Sequence, residues 1–327
     1  MYIPQMKFSL WADFIERDYL DNEFKELISQ GVINGATSNP AIFKDAILNS
    51  PAYKEQLASL KHLSAKEKYE AVAIYDIQKA ADILRPLYDK NDDGFVSIEV
   101  DPFLCDDAEA TIAEGKRLFK MIDRPNVMIK VPATKAGYKA MEALVSAKIP
   151  VNATLIFSQA QAISCADAFE RGVTVAGQSV STVISVFVSR VDRALDVVLA
   201  EKNVPTALAG IYNAAAIYNL IEAKQVEGCR TLFASTGVKG DVLEASYYVD
   251  ELLAFNSVNT APIATIKAFI NSSARSAALP ISEENITLLM QQITDAGVDF
   301  DGMIEGQIRD GLEAFKGAFT EILEALS

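Results

Sequence analysis

The chain has 327 residues, half of them hydrophobic, and a formal net charge of −14. This apolar fraction supports a sizeable core and excludes wholesale disorder, while the negative charge disfavours nucleic acids and acidic membrane surfaces as partners. The three cysteines are widely spaced, which indicates a reducing compartment without a disulfide framework. Because neither a signal peptide nor a membrane-spanning apolar segment is recognisable, the sequence predicts a soluble cytoplasmic protein.

Short β-type segments alternate with helical segments along the chain. The predicted strands cover residues 8–12, 33–38, 94–100, 126–132, 150–156, 181–188, 230–235 and 258–260. The predicted helices cover residues 20–28, most of 41–87, 106–121, 138–147, 159–170, 190–201, 206–226, 263–278, 283–296 and 304–326. Eight strand and helix units predict an α/β fold, a (β/α)8 TIM barrel. We expect one domain over residues 1–327, with helical insertions near 41–87 and 203–228 and a helical extension near 283–327.

Lys130 lies inside the apolar segment N-V-M-I-K-V-P at 126–132. Such a segment is typical of a strand that is buried on both faces of a parallel sheet. Burial disfavours the charged form of an amine, and a neutral lysine amine is a nucleophile that forms a Schiff base with a carbonyl carbon. The alternative is a lysine on an edge strand that points to solvent.

Nearly every predicted strand ends in a polar or ionisable residue that a core would not favour. In a barrel these side chains ring the carboxyl-terminal mouth, where active sites of this fold lie. They include Asp13, Thr37, Asn39, Glu99, Lys130, Asn152, Thr154, Ser185 and Ser235. The alternatives are a salt-bridged Glu99 and an Asp13 that caps a helix.

The sequence offers few groups for other kinds of chemistry. Its single histidine, His62, lies in a polar segment that is predicted to be a surface helix, so hydrolysis through a histidine base is hard to build. No cysteine pair has zinc spacing, and neither a P-loop nor a dinucleotide-binding glycine motif occurs, so we predict no metal and no cofactor. Two carboxylates and an amine can supply acid, base and nucleophile without them.

Several segments resemble the transaldolase family. The segment G-A-T-S-N-P-A-I-F at 35–43 resembles its first signature, and N-V-M-I-K-V-P-A-T-K-A-G-Y-K-A-M-E-A-L at 126–144 resembles the second, which surrounds the Schiff-base lysine. Shorter matches are V-S-I-E-V-D at 96–101, N-A-T-L-I-F-S at 152–158, S-V-F-V-S-R at 185–190 and A-S-T-G-V-K at 234–239. The resemblance implies transfer of a dihydroxyacetone unit from a ketose phosphate, such as sedoheptulose 7-phosphate or fructose 6-phosphate, to an aldose phosphate in the pentose phosphate pathway.

The resemblance also implies roles for individual residues. Lys130 matches the amine that condenses with the ketose, and Asp13 matches the base that takes the C4 hydroxyl proton. Glu99 and Thr154 are similar to the pair that holds a water for proton transfer. The residues that match the substrate-binding positions are Asn39, Thr37, Asn152, Ser185, Phe187 and Ser235.

The phosphate site is where the sequence departs from the best-known members. Arg190 matches the family's phosphate-binding arginine, although an ordinary arginine on a helix surface is the alternative. The well-known members have a second arginine soon after the Ser235 position, whereas this chain resembles a branch with Lys239 there. Lys239 is therefore the candidate for a second phosphate contact, and as a point charge it orients phosphate less tightly than arginine.

Two other functions compete with transaldolase. A fructose-6-phosphate aldolase releases free dihydroxyacetone, and such relatives typically have Gln at the Glu99 position and Tyr at the Phe187 position. An inactive sugar-phosphate-binding barrel would have lost Lys130 or Glu99, and both are present. The expected partners are sugar phosphates, without nucleic acid or membrane, and the sequence is compatible with a homodimer.

Overall fold

The structure is a computed structural model that describes residues 2–240 and 242–327. Eight parallel strands pair in chain order, and β8 pairs with β1, so the sheet closes into a barrel. The strands are β1 Ser9–Ala12, β2 Gly35–Thr37, β3 Val96–Glu99, β4 Val127–Pro132, β5 Val151–Ile156, β6 Thr182–Phe187, β7 Cys229–Ala234 and β8 Ser257–Ala261. The prediction of a (β/α)8 barrel is confirmed.

Helices surround the barrel and connect its strands. They are α1 Arg17–Asp21, α2 Glu23–Ser29, α3 Pro40–Asn49, α4 Lys54–Ser59, α5 Ala65–Tyr88, α6 Ala108–Ile122, α7 Lys135–Ser146, α8 Gln159–Ala176, α9 Ser189–Glu201, α10 Ala209–Lys224, α11 Tyr247–Glu251, α12 Ile263–Asn271, α13 Glu283–Asp295 and α14 Phe300–Leu326. Short 3-10 turns occur at Pro4–Met6, Pro51–Tyr53 and Pro102–Leu104. Ser158 caps α8 by accepting from the backbone N–H of Gln161, because its hydroxyl replaces a missing intrahelical acceptor.

The register of the sheet places candidate site residues of neighbouring strands next to each other. Glu99 is the partner of Lys130 between β3 and β4, and Lys130 is the partner of Asn152 between β4 and β5. In strand β5 the register shifts between Ala153 and Ile156, which locally re-aims the end of the strand. These strands are buried along their whole length because helices cover them.

Some predicted element boundaries are wrong. The helix predicted for 20–28 is two helices, because Asn22 leaves helical geometry at φ −119° and ψ −95°. The helix predicted for 263–278 ends at Asn271, because Ser272 is extended. His62 lies in an exposed turn between α4 and α5 rather than on a helix, and the short helix α11 was not predicted.

Several helices lie outside the regular barrel pattern, and α14 reaches the mouth of the barrel. Helices α4 and α5 lie between β2 and β3, as predicted for 41–87. Helix α14 packs against α3 and α5 and reaches the carboxyl ends of the strands. The single domain over residues 1–327 stays a prediction. Within 2–240 and 242–327, no helix has the length and apolarity needed to span a membrane.

Candidate active site

A cavity of about 140 Å³ lies at the carboxyl ends of the strands. Active sites of this fold lie at that end of the barrel. Its walls come from seven strands or strand ends and from three helices, and the lining residues are Asp13, Thr37, Asn39, Ala41, Lys130, Thr154, Ser185, Phe187, Arg190, Ala234, Ser235, Thr260 and Phe315. Nine of the twelve residues that the sequence assigned to the site are among them.

A larger cavity, of about 500 Å³, lies at the amino ends of the strands. Its main charged groups already pair with each other, since Arg230 Nη1 lies 2.9 Å from Asp93 Oδ2. Trp11 Nε1 donates to the same carboxylate oxygen. Polar groups at this end of a TIM barrel generally stabilise the fold, so the smaller cavity is the candidate active site.

Lys130 is buried at the floor of the smaller cavity, with 5% of its surface exposed. Its Nζ lies 3.5 Å from Glu99 Oε2 and donates to the backbone carbonyl of Ser38 at 3.1 Å. The ring of Phe315 lies 5.6 Å from Nζ and covers the amine from α14. The alternative of an edge-strand lysine that points to solvent is therefore wrong.

Glu99 does not line this cavity, but its carboxylate lies beside Lys130, which does. Burial raises the pKa of Glu99 to about 7, although the positive charge of Lys130 acts in the opposite direction. Among the described residues, neither Glu99 oxygen has a hydrogen-bond partner, and the same holds for the hydroxyl of Thr154 on the neighbouring side of Lys130. Glu99 is thus ion-paired, as the alternative interpretation predicted. The residue with which it pairs is Lys130, the candidate nucleophile.

Asp13 follows β1 and is held by the two strands that flank it. Thr37 Oγ1 donates to Asp13 Oδ1 at 2.6 Å, and Thr37 Oγ1 also lies 2.6 Å from Thr260 Oγ1. Burial raises the pKa of Asp13, whereas Lys130, the Thr37 hydrogen bond and Arg190 act to lower it. The cap of α1 is Glu16, so Asp13 does not cap that helix.

Two polar side chains between β5 and β6 are fixed by hydrogen bonds. Ser185 Oγ donates to Asn152 Oδ1 at 2.6 Å, and Asn152 Nδ2 donates to Ser97 Oγ at 3.3 Å. Asn152 does not line the cavity itself and reaches it through Ser185. Asn39 lines the cavity as the cap of α3, where its Oδ1 accepts from the N–H of Ile42 at 3.0 Å.

Arg190 lies in the first turn of α9 and faces the cavity. Its guanidinium carbon is 5.1 Å from the centre of the Phe187 ring. Burial lowers the pKa of Arg190, and Arg193 one turn later acts in the same direction. The N–H groups of Ser189 and Val191 already donate to backbone carbonyls, so the guanidinium of Arg190 is the group that favours an anion at this end of α9.

Ser235 lies opposite Arg190 at the end of β7. Its backbone has φ +55°, a left-handed conformation that is uncommon for a serine and often occurs at functional sites. Its hydroxyl lies 3.1 Å from that of Ser189, at the beginning of α9. Lys239 is exposed and lines a separate cavity of about 400 Å³ together with Arg193.

The sequence did not assign Ser38, Thr260 or Phe315 to the site. Ser38 contributes a backbone carbonyl, so its side chain carries no signal. Thr260 was identified as a strand end, and its hydrogen bond to Thr37 depends on the closure of the barrel between β8 and β1. Phe315 belongs to an amphipathic helix, in which an apolar residue is most simply read as core.

Comparison with known proteins identifies the family of the chain. The family model described as Transaldolase/Fructose-6-phosphate aldolase matches residues 10–326. A transaldolase of Campylobacter jejuni subsp. jejuni serotype O:23/36 (strain 81-176) is 48% identical over 330 residues, which cover 98% of this chain and 99% of the relative. A transaldolase of Helicobacter pylori (strain Shi470) is 43% identical over 320 residues, again covering 98% and 99%. The chain therefore belongs to the transaldolase/fructose-6-phosphate aldolase family.

Proposed function

We propose that the protein transfers a dihydroxyacetone unit from a ketose phosphate to an aldose phosphate through a Schiff base on Lys130. Transaldolase activity follows from the family and from relatives that match over nearly the whole chain. The observation that carries the assignment of residues is the buried amine, which lies between Glu99 and a cavity whose opposite wall holds Asp13.

The first half of the reaction joins Lys130 to the substrate. The neutral amine attacks the ketose carbonyl, and the resulting carbinolamine loses water to give the Schiff base. Proton transfer in this step is assigned to Glu99, whose pKa of about 7 lets it accept and return a proton near neutral pH. Within residues 2–240 and 242–327 the side-chain oxygens of Glu99 and Thr154 have no hydrogen-bond partner, which supports the proposal that they hold the water that carries the proton.

The second half breaks the bond between C3 and C4 of the sugar. Asp13 takes the C4 hydroxyl proton, the C3–C4 electron pair moves toward the protonated Schiff base, and an aldose phosphate leaves. The remaining enamine is attached to Lys130, and Asn152, Asn39 and Ser185 are assigned to its hydroxyl groups. Attack on a second aldose phosphate reverses these steps and completes the transfer.

The phosphate is assigned to the beginning of α9. Arg190 supplies a planar guanidinium that lines the cavity and can bind phosphate through two hydrogen bonds. Ser235 supports this position through Ser189. Lys239 is proposed as a peripheral contact, since its exposed side chain lines the neighbouring cavity.

Fructose-6-phosphate aldolase is the nearest alternative within the same family. It differs from transaldolase in releasing free dihydroxyacetone instead of retaining the enamine for an acceptor. Glu99 and Phe187 stand where aldolases of this family typically have Gln and Tyr, which favours transfer. A coupled assay that compares transfer with release decides between them, and predominant release would contradict our proposal.

Borohydride trapping tests the Schiff base directly. Fructose 6-phosphate and borohydride should add a reduced three- or six-carbon sugar adduct to the protein, and peptide mass mapping should place it on Lys130. Lys130→Met, which keeps the length of the side chain, should give unmodified protein. A wild-type protein of unchanged mass would refute the covalent mechanism.

We also propose that the protein works in the cytoplasm without nucleic acid, which its net charge of −14 supports. A homodimer is compatible with the chain, and sedimentation velocity would test it.

A further inference from the structure

Thr37 and Thr260 form a pair of hydroxyls beside Asp13. Thr37 ends β2 and Thr260 lies in β8, and these two strands flank β1, which Asp13 follows. The two hydroxyl oxygens are 2.6 Å apart, and Thr37 Oγ1 is also 2.6 Å from Asp13 Oδ1. Both threonines are almost fully buried and line the cavity, so solvent does not compete strongly for these bonds.

The direction of the hydrogen bonds follows from the number of protons. An ionised carboxylate only accepts hydrogen bonds, so the single hydroxyl proton of Thr37 points to Asp13. Thr260 must then be the donor in its bond with Thr37. Proton donation therefore runs from Thr260 to Thr37 to Asp13 when the carboxylate is ready to act as a base.

The directions reverse when Asp13 gains a proton. A neutral carboxylic acid has an O–H group that needs an acceptor, and Thr37 can accept it only if its own proton has another acceptor. Thr260 Oγ1 is the acceptor at hydrogen-bond distance. Rotation of hydroxyls thus keeps the Asp13–Thr37 bond in both protonation states, without movement of heavy atoms.

We propose that Thr260 is a positioning residue for carbon–carbon cleavage, where it supports the Thr37 hydroxyl as Asp13 changes from carboxylate to acid. This proposal rests on the proposed function, in which Asp13 takes the C4 hydroxyl proton. The backbone also holds the group, since the N–H of Asp13 donates to the carbonyl of Ala261 at 2.9 Å. The charged groups that face Asp13 are Lys130 from β4 and Arg190 from α9.

The decisive measurement separates the two chemical steps in Thr260→Val, which replaces the hydroxyl with a methyl group of similar size. Schiff-base formation does not use Asp13, so the rate of borohydride-trappable adduct from fructose 6-phosphate should stay within about twofold of wild type. First-turnover release of glyceraldehyde 3-phosphate uses Asp13 and should slow about tenfold, a part of what a general base contributes. Thr260→Ser should restore the release, because it restores the hydroxyl.

Thr231→Val is the matched control. Thr231 is a fully buried threonine of β7, and within the described residues its hydroxyl has no hydrogen-bond partner. It should leave both rates unchanged. If Thr260→Val unfolds, Thr260→Ala, which cannot clash, should show the same difference between the steps.

Three results would overturn the proposal. They are an unchanged release rate in Thr260→Val, an equal loss in both steps, and a failure of Thr260→Ser to restore release. Each leaves the Schiff base itself intact if wild type still forms the adduct. Absence of an adduct in wild type would instead refute the underlying function, and this proposal with it.

Discussion

Glu99 and Lys130 form a buried ion pair in which Lys130 also donates to the backbone carbonyl of Ser38. Lys130 Nζ and Glu99 Oε2 are 3.5 Å apart, and within the described residues the Glu99 oxygens have no hydrogen-bond partner. Burial raises the pKa of Glu99 to about 7 because the charged form loses its hydration. The carboxyl can therefore change its protonation state near neutral pH, as a group that moves protons to and from a substrate requires.

The pH dependence of activity should report this carboxyl. If the carboxylate is the form that accepts protons, kcat falls as the pH is lowered through about 7. Glu99→Gln should lower kcat and remove that limb of the profile. Steady-state measurement of kcat for transfer from pH 5 to 9 would check this, and an acidic limb that persists in Glu99→Gln would belong to another group.

The raised pKa of Glu99 also makes the stability of the folded protein depend on pH. An ordinary glutamate pKa of 4.5 in the unfolded chain, against about 7 in the folded protein, means that folding takes up a proton between these values. The contribution of Glu99 is therefore fully present below about pH 4.5 and is lost as the pH rises through about 7. We expect the free energy of unfolding of wild type, relative to Glu99→Gln, to decrease by on the order of 3 kcal/mol from pH 4.5 to 8. Urea unfolding at several pH values measures the difference, and an increase would contradict it.

Arg190 should determine affinity for phosphorylated sugars. Arg190→Ala removes a guanidinium that can bind phosphate through two hydrogen bonds, so KM for erythrose 4-phosphate should rise by about 10- to 100-fold. KM for unphosphorylated glyceraldehyde as acceptor should change little. Arg193→Ala, which removes an exposed arginine one turn later, is the control and should affect both acceptors weakly. Equal losses for both acceptors in Arg190→Ala would place the phosphate elsewhere.

At the scale of elements, α14 is the helix that covers the reacting amine. Its Phe315 is 4% exposed and lies 5.6 Å from Lys130 Nζ. Gly311, one turn earlier, lets the helix approach the barrel closely, since a Cβ there would lie 2.9 Å from the Leu155 side chain. The helix therefore restricts access of water to the site as well as adding to the core.

Removing the Phe315 ring should open the site. Phe315→Ala should cost roughly 3–5 kcal/mol of stability through the cavity that it leaves. Water should then reach the enamine more easily, so that release of free dihydroxyacetone increases relative to transfer. Phe315→Leu, which keeps most of the volume, is the control, and an unchanged ratio of release to transfer in Phe315→Ala would show that the ring does not protect the intermediate.

A buried ion pair attaches helix α5 to α1, the helix that follows the first strand. Arg17 Nη2 lies 2.9 Å from Asp76 Oδ1, and the side chain of Asp76 is fully buried. Removing one partner from a buried pair leaves an uncompensated charge, so Asp76→Ala should lower the free energy of unfolding by roughly 3–5 kcal/mol. The exposed pair of Lys25 and Asp21 offers the comparison, since Lys25→Ala should change stability by less than about 0.5 kcal/mol. Similar effects of the two substitutions would contradict the role of Asp76.

At the scale of the whole molecule, the sequence predicted the barrel because its strands carry two signals at once. Each is a short apolar segment, and each ends in a polar group that a closed core does not need. Lys130 and Glu99 follow this pattern and are register partners in the structure. Such residues can be recognised from the sequence alone, because the apolar segment that forms the strand and the reactive side chain lie within a few positions of each other.

The features of the site and fold that were not predicted from the sequence depend on contacts between residues that are far apart in the chain. Phe315 looks like any apolar residue of an amphipathic helix until α14 is seen to cross the mouth of the barrel. The bond between Thr37 and Thr260 exists only because the sheet closes. Helix α12 ends at Asn271 because Ser272 is extended, although the sequence beyond it is compatible with helix.

Closure of β1 onto β8 has a consequence for synthesis on the ribosome. Asp13 emerges early, whereas Thr260 and Phe315 are among the last quarter of the chain to be translated. A nascent chain in which Lys130 has already been translated therefore lacks both β8, which closes the barrel, and α14, which covers the amine. A chain that ends before α14 lacks the aromatic ring that covers the amine of Lys130.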